Sequence, residues 1–177
     1  VTEGLVDPDK HKALNEHYYQ QYQQGQLDID EYLSFALGPM AGMTPETLSA
    51  LQTKFLKKHV EPILLDAAFD LLQAHRVNGD ALIIITATNT LVTQPIANRL
   101  GVEHLIGCEA ELEDGRYTGK PEGVPSYGEG KVQRIKAWCA EHQTSFEGAV
   151  FYSDSHNDLP LLREVAQAIA VDPDDLL

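Results

Sequence analysis

Leu82-Ile83-Ile84-Ile85 is a continuous apolar run in which three of four residues are β-branched. Such residues are stiff at χ1 and suit strands. A run with no polar alternation fits a strand covered on both faces, as parallel strands are. Parallel strands need crossovers, ordinarily helices. This one stretch therefore constrains the chain to an α/β arrangement, and its surroundings agree. Asp66 can cap a helix through Phe69, Leu72 and His75. A helix through Ile96 and Leu100 follows and closes at Gly101. Leu105 to Leu112 reads as a strand that turns at Glu113-Asp114-Gly115 and returns through Tyr117 and Thr118. Pro121 to Gly130 is a Gly/Pro-rich loop, and Lys131 opens an amphipathic helix with Val132, Ile135, Trp138 and Cys139. Ala149 to Tyr152 is a second short apolar run. A helix pattern with Leu159, Leu162 and Val165 and a last strand near Ala168 to Val171 complete the chain. Strands alternating with helices over residues 63–177 predict a parallel Rossmann-like sheet with helices on both faces.

The first third reads differently. Asp7-Pro8 is an N-cap followed by proline at the first helical position. That helix carries Leu14, Tyr18 and Tyr22 on one face and ends near Gly25. Asp28 with Glu31 three residues later has the form of a capping box. The helix after it runs through Tyr32, Phe35 and Leu37 and stops at Gly38-Pro39. Thr44-Pro45 starts a third, with Leu48, Leu51 and Phe55 on one face. The plain reading of these three stripes is core packing. Residues 1–62 are thus expected to form a small helical cap domain on an α/β core of residues 63–177.

Composition narrows the partners. The net charge of −14 argues against nucleic acid, which calls for a basic face, and against an anionic membrane surface. No apolar run is long enough to span a membrane. Cys108 and Cys139 lie in apolar contexts without metal-ligand spacing, which points to reduced thiols and a cytoplasmic location. Val1-Thr2-Glu3-Gly4 carries no basic, apolar signal segment, in keeping with that expectation.

Chemistry concentrates at strand ends. Asp154 and Asp158 place two carboxylates in the loop after the second apolar run, where open α/β sheets bind ligands. Hard divalent cations such as Mg²⁺ want oxygen donors of this kind. The same Ser, Asp and Asn residues also suit a plain turn with a helix cap. Thr86 ends the first run and supplies a hydroxyl, and Lys131 puts a cation at a helix start, against the dipole there. Together these four are equipment for a phosphate plus Mg²⁺.

This order and spacing resembles the haloacid-dehalogenase superfamily of phosphohydrolases, in its phosphoserine-phosphatase-like branch with a helical cap. Ile84-Ile85-Thr86-Ala87-Thr88-Asn89 is similar to the family's second motif, Gly128-Glu129-Gly130-Lys131 to its third, and Ser153-Asp154-Ser155-His156-Asn157-Asp158 to its fourth. The resemblance implies an Mg²⁺-dependent hydrolase of a small phosphorylated metabolite. It implies that Thr86, with Ala87 and Asn89 beside it, contacts the phosphoryl group. Lys131 would balance charge between phosphate and nucleophile, Asp154 would bind Mg²⁺, and Asp158 would support the metal site and catalysis. Asn157 would contact the phosphate or orient the loop.

The family's first motif is a strand ending in Asp-x-Asp, whose first carboxylate is the nucleophile and whose second is the general acid/base. No strand is read as that motif here: Asp28-Ile29-Asp30 has the letters but no apolar run before it. The expectation is a fragment, or a chain whose natural form carries a further N-terminal segment. The Leu82 and Ala149 strands should then flank an absent strand or stand apart across a gap, and these 177 residues by themselves should be inactive. Residues 1–75 contain no arginine to pair with a substrate carboxylate, which counts against phosphoserine. Glu16, His17, Tyr18, Tyr22, Asp28 and Asp30 could suit a cationic amine alcohol phosphate such as histidinol phosphate. The alternative is a non-catalytic phosphate-binding or regulatory protein of the same fold.

Overall fold

The structure is a computed structural model and describes residues 4–177. Three helices come first: α1 (Pro8–Gln23), α2 (Ile29–Leu37) and α3 (Pro45–Phe55). Their starts are set locally. The carboxylate or hydroxyl of Asp7, Asp28 and Thr44 accepts from an amide of each first turn. A π-helical turn, Leu56–Val60, and a 3-10 turn, Glu61–Ile63, lead into α4 (Asp66–Asn78). Asp66 does not cap that helix as expected. Leu65 holds the cap position, and Asp66 lies inside the first turn, where its charge suits the dipole.

β1 (Ile83–Asn89) and β2 (His104–Glu113) pair in parallel, joined by α5 (Thr90–Leu100). β2 and β3 (Arg116–Glu122) form the expected hairpin. Its turn uses Asp114 and Gly115 at φ 49° and 74°, the two positive values of a tight hairpin turn. α6 (Glu129–Glu141) leads to β4 (Val150–Ser153), then to α7 (Leu159–Leu162) and β5 (Gln167–Ala170), which pairs in parallel with β4. Helices lie on both faces. Ile106 packs into a cluster with Val132, Ile135, Cys139 and Leu161. Its neighbour Gly107 faces the other way, as strand pleating requires. A Cβ there would come 2.9 Å from Thr90 Cγ2, so α5 rests directly on the strand.

The two parallel pairs do not join. β1 and β4 lie in separate hydrogen-bonded sheets. Between them runs a cleft of about 540 Å³, with Leu82, Ile83 and Ile84 on one side and Ala149, Val150 and Tyr152 on the other. Of the two arrangements expected for these strands, this is the gap. His75 of α4 ties the cleft's mouth: Nδ1 meets Asp80 at 2.7 Å and Nε2 meets the Tyr152 hydroxyl at 2.9 Å.

The first helices pack on the rest through a second cluster. Leu37, Leu48 and Leu91 are buried together, with Met40, Ala110 and Tyr117 against them. The Gly42 amide donates to the Tyr117 carbonyl (2.8 Å), and the Tyr117 amide donates to Met43 (2.9 Å). Leu33 and Leu37 are fully buried, each stabilising by about 2 kcal/mol. α1 departs from its expected core role. It has no buried residue, and Leu14 is exposed. Its aromatic face, with Tyr18 and Tyr22, points instead toward the carboxyl ends of β1 and β4.

Candidate active site

β1 loses register with β2 where it nears the site. Ile85 opposes Ile106, but Asn89 opposes Cys108, so four steps along β1 match two along β2. The bulge spans Thr86 to Thr88 and turns their backbone out of the ladder. Thr86 Oγ1 accepts from the Thr88 amide at 3.1 Å. Asn89 is buried, and its Oδ1 accepts from the Val92 amide at 3.2 Å as the cap of α5. Cys108 Sγ donates to the Ala87 carbonyl at 3.1 Å and accepts from the Ser126 amide at 3.2 Å. This thiol bridges β1 to the loop before α6, and burial pushes its pKa up.

That loop delivers Lys131. Gly128 has φ 52°, and Gly130 passes so close to Pro125 that an added Cβ would lie 2.0 Å from its carbonyl oxygen. Only glycine allows the first turn of α6 to seat there. Lys131, third in the helix, is 3% exposed and forms an ion pair with Asp158 Oδ1. Asp158 is also buried, and its Oδ2 accepts from Ser153 Oγ at 2.6 Å. Both oxygens of this carboxylate are thus engaged.

Ser153 ends β4, and the loop after it winds through a 3-10 turn, His156–Asp158. Asn157 Nδ2 donates to Ser155 Oγ at 2.5 Å, while its Oδ1 is buried without a partner. Asp154 is exposed, and its carboxylate makes no hydrogen bond or ion pair with any described residue. Its carbonyl accepts from the Asp174 amide at 2.8 Å.

The structure thus joins Lys131 to Asp158, and sets Ala87 and Asn157 around one cavity beneath α1. Thr86 and Asp154 make no hydrogen bond or ion pair with either member of that pair. Sequence reasoning missed Asp174 altogether. Its carboxylate accepts from the His156 amide (2.9 Å), faces His156 Nδ1 (2.7 Å) and accepts from the Tyr22 hydroxyl (3.1 Å). Burial acts to raise its pKa. Hydrogen bonds from His156 and from the Leu176 and Leu177 amides outweigh that and hold it well below the usual carboxylate range. The Tyr22 hydroxyl also bonds Ser155 Oγ, and its ring lies 4.7 Å from that of His156. Of the charged cap residues expected to face a substrate, Asp28 caps α2 and Glu16 bonds Gln20. Neither they nor His17 and Asp30 line the cavity beside Asn157.

Hard-oxygen chemistry is present for a divalent cation, though incompletely. Asp154 offers an unengaged carboxylate. Among the described residues no group of three or more His, Cys, Asp or Glu side chains is placed to hold a metal ion. No helix among them is long and apolar enough to cross a membrane.

A buried lysine–aspartate pair and an exposed carboxylate thus stand together in an α/β frame. The sequence model of haloacid dehalogenase-like hydrolases matches residues 3–163, and the chain belongs to that family. A histidinol-phosphatase of Neisseria meningitidis serogroup C is 39% identical over 178 aligned positions, covering 98% of this chain and 80% of the relative. A phosphoserine phosphatase of Mycobacterium tuberculosis is 32% identical over 139 positions, 78% of this chain and 45% of its own length. The chain thus spans most of the first relative and about half of the second. A Bordetella pertussis Tohama I protein of unknown function superposes with a TM-score of 0.87 at 40% identity, covering 96% of this chain and 77% of its own. A substrate-bound phosphoserine phosphatase shares the fold, with a TM-score of 0.65 at 14% identity over 92% of this chain and 74% of its own. With family and phosphatase relatives in agreement, the chain is of the phosphoric monoester hydrolase class.

Proposed function

We propose that the protein is an Mg²⁺-dependent phosphohydrolase of a small phosphomonoester, of phosphoserine or histidinol phosphate type. The observation that carries this is the buried Lys131–Asp158 pair at the carboxyl edge, with the free carboxylate of Asp154 in the same loop. A lysine held by a carboxylate inside protein is a fixed cation, ready for the charge of a phosphoryl group. Thr86 and the Ala87 backbone, in the bulge of β1, would donate to phosphoryl oxygens, and Asn157 would add an amide. Asn89 would hold the bulge by capping α5. Asp154 would be the metal ligand. Asp158, engaged by Lys131 and Ser153, would support the metal loop and aim the lysine. Bound Mg²⁺ would neutralise phosphoryl oxygens during transfer.

The nucleophile is assigned to a carboxylate outside residues 1–177, on a strand that would fill the cleft between β1 and β4. An aspartyl-phosphate would form on it. One fact supports this: the cleft is walled by two strand edges. Residues 1–62 are assigned to the cap and 63–177 to the core. Two buried free cysteines suit a reducing compartment, the cytoplasm.

The test is Asp154→Asn in the full natural chain, assayed for Mg²⁺-dependent phosphate release. Activity should fall by about 100-fold or more, with the circular dichroism spectrum unchanged. Unchanged turnover refutes the assignment. A wild-type protein that binds phosphate but releases none from any phosphomonoester would favour the non-catalytic alternative.

A further inference from the structure

Five of the chain's seven tyrosines surround one cavity of about 280 Å³. Tyr18, Tyr19, Tyr22, Tyr32 and Tyr127 line it together with Asn157. Its floor reaches Ala87 and Thr88, in the bulge assigned above to the phosphoryl group. Among the described residues no charged side chain lines it. This is an unusual concentration for a chain with a net charge of −14 and a cap rich in carboxylates.

The rings are held. Tyr18 meets Tyr32 edge-on at 5.6 Å, and Tyr19 lies 6.4 Å from Tyr22 with planes 23° apart. Tyr22 is tied by its hydroxyl to Ser155 and Asp174. Burial pushes the phenols of Tyr22, Tyr32 and Tyr127 up, so they stay neutral. What such side chains can offer a ligand is the negative face of a ring and a few hydroxyls. Such faces attract ammonium and planar nitrogen cations within about 6 Å. They offer a carboxylate no cation. Lys131 is engaged by Asp158, and residues 4–75 hold no arginine. An unpaired carboxylate moved out of water is strongly disfavoured. At about 280 Å³ the space suits one ring or a short amine rather than a large ligand.

We propose that this tyrosine cage receives the leaving group and is the specificity element of the site. It selects alcohols that carry a planar or cationic nitrogen group and rejects those that carry a carboxylate. The selection is made by aromatic faces, not by the acidic residues of the cap. This rests on the phosphatase reading above.

The test uses the full natural chain and three phosphomonoesters: histidinol phosphate, phosphoserine and glycerol 2-phosphate. The expected kcat/KM for the first exceeds that for phosphoserine by about tenfold or more. Tyr18→Leu and Tyr19→Leu should shrink that ratio through KM. Tyr19 is 52% exposed, so its replacement puts little of the fold at risk. A preference for phosphoserine, or a ratio unmoved by either variant, overturns the cage. If no phosphomonoester is hydrolysed, the phosphatase reading fails instead, and the cage is judged by calorimetry with the free alcohol histidinol. Binding weakened in both variants supports it, and no binding, or binding that both variants retain, overturns it.

Discussion

Lys131 reaches its place because of a residue with no side chain. Glycine inside a helix normally costs about 1 kcal/mol against alanine. At Gly130 the sign reverses, because a Cβ would sit 2.0 Å from the Pro125 carbonyl oxygen. Gly130→Ala should destabilise by about 2 kcal/mol through forced backbone movement, and lower activity by misplacing the lysine. Urea unfolding and phosphate release check the two parts. A stabilised, fully active variant would contradict the packing. The ion pair itself predicts a sharper pattern. Lys131→Met leaves the Asp158 charge buried and unpaired, at a cost of about 3–5 kcal/mol. Adding Asp158→Asn removes that charge and keeps an acceptor for Ser153. The double variant should recover more than half of the lost stability and none of the activity. If the double variant is as unstable as the single one, the lysine is held by something other than this carboxylate.

Elements differ in how far the sequence disclosed them. Helix starts were legible because their physics is local: Asp7, Asp28 and Thr44 each bond an amide two or three residues on. The hairpin at Asp114-Gly115 was legible for the same reason. Lys131 and Asp158, which the structure pairs, stood out in the sequence because one opens a helix and the other lies in the loop after a strand. The pairing of Tyr22 with Asp174 did not, since 152 residues separate them and no periodicity links them. The face of α1 misled because an aromatic stripe that lines a cavity has the same spacing as one that fills a core. For α2 the spacing told the truth. Leu37 is fully buried in the cluster with Leu48 and Leu91, where α2, α3 and α5 meet β3. Leu37→Ala should therefore cost about 3 kcal/mol, and both the first helices and the β1–β2 region should loosen together. Hydrogen exchange would show this as faster exchange on both sides of the cluster. Loosening confined to α1–α3 would mean that the cap and core are energetically separate.

At the scale of the whole molecule, the cleft between β1 and β4 decides what residues 1–177 can do by themselves. Each of these strands has a partner on one side only, β2 and β5 respectively. The chemistry around them is equally one-sided. Thr86 is a neutral hydroxyl that accepts from the Thr88 amide, and no hydrogen bond joins it to a base among the described residues. Lys131 and Asp158 hold each other, and Ser153 takes the second oxygen of that carboxylate. Asp154 alone is free, and if it holds Mg²⁺ as proposed above it cannot also attack phosphorus. Covalent phosphoryl transfer needs a nucleophile in line with the leaving oxygen, and none of these groups is available for that task. The polypeptide of residues 1–177 should accordingly fold cooperatively, by circular dichroism, yet release no phosphate from an aryl phosphate in the presence of Mg²⁺. Its cleft-facing amides in Ile83–Ile85 and Val150–Tyr152 should exchange faster than the same amides in the full natural chain, where a strand would protect them. Turnover by residues 1–177 that Asp154→Asn abolishes would place the nucleophile within this chain. Equal exchange in both forms would mean that the cleft is not a strand site.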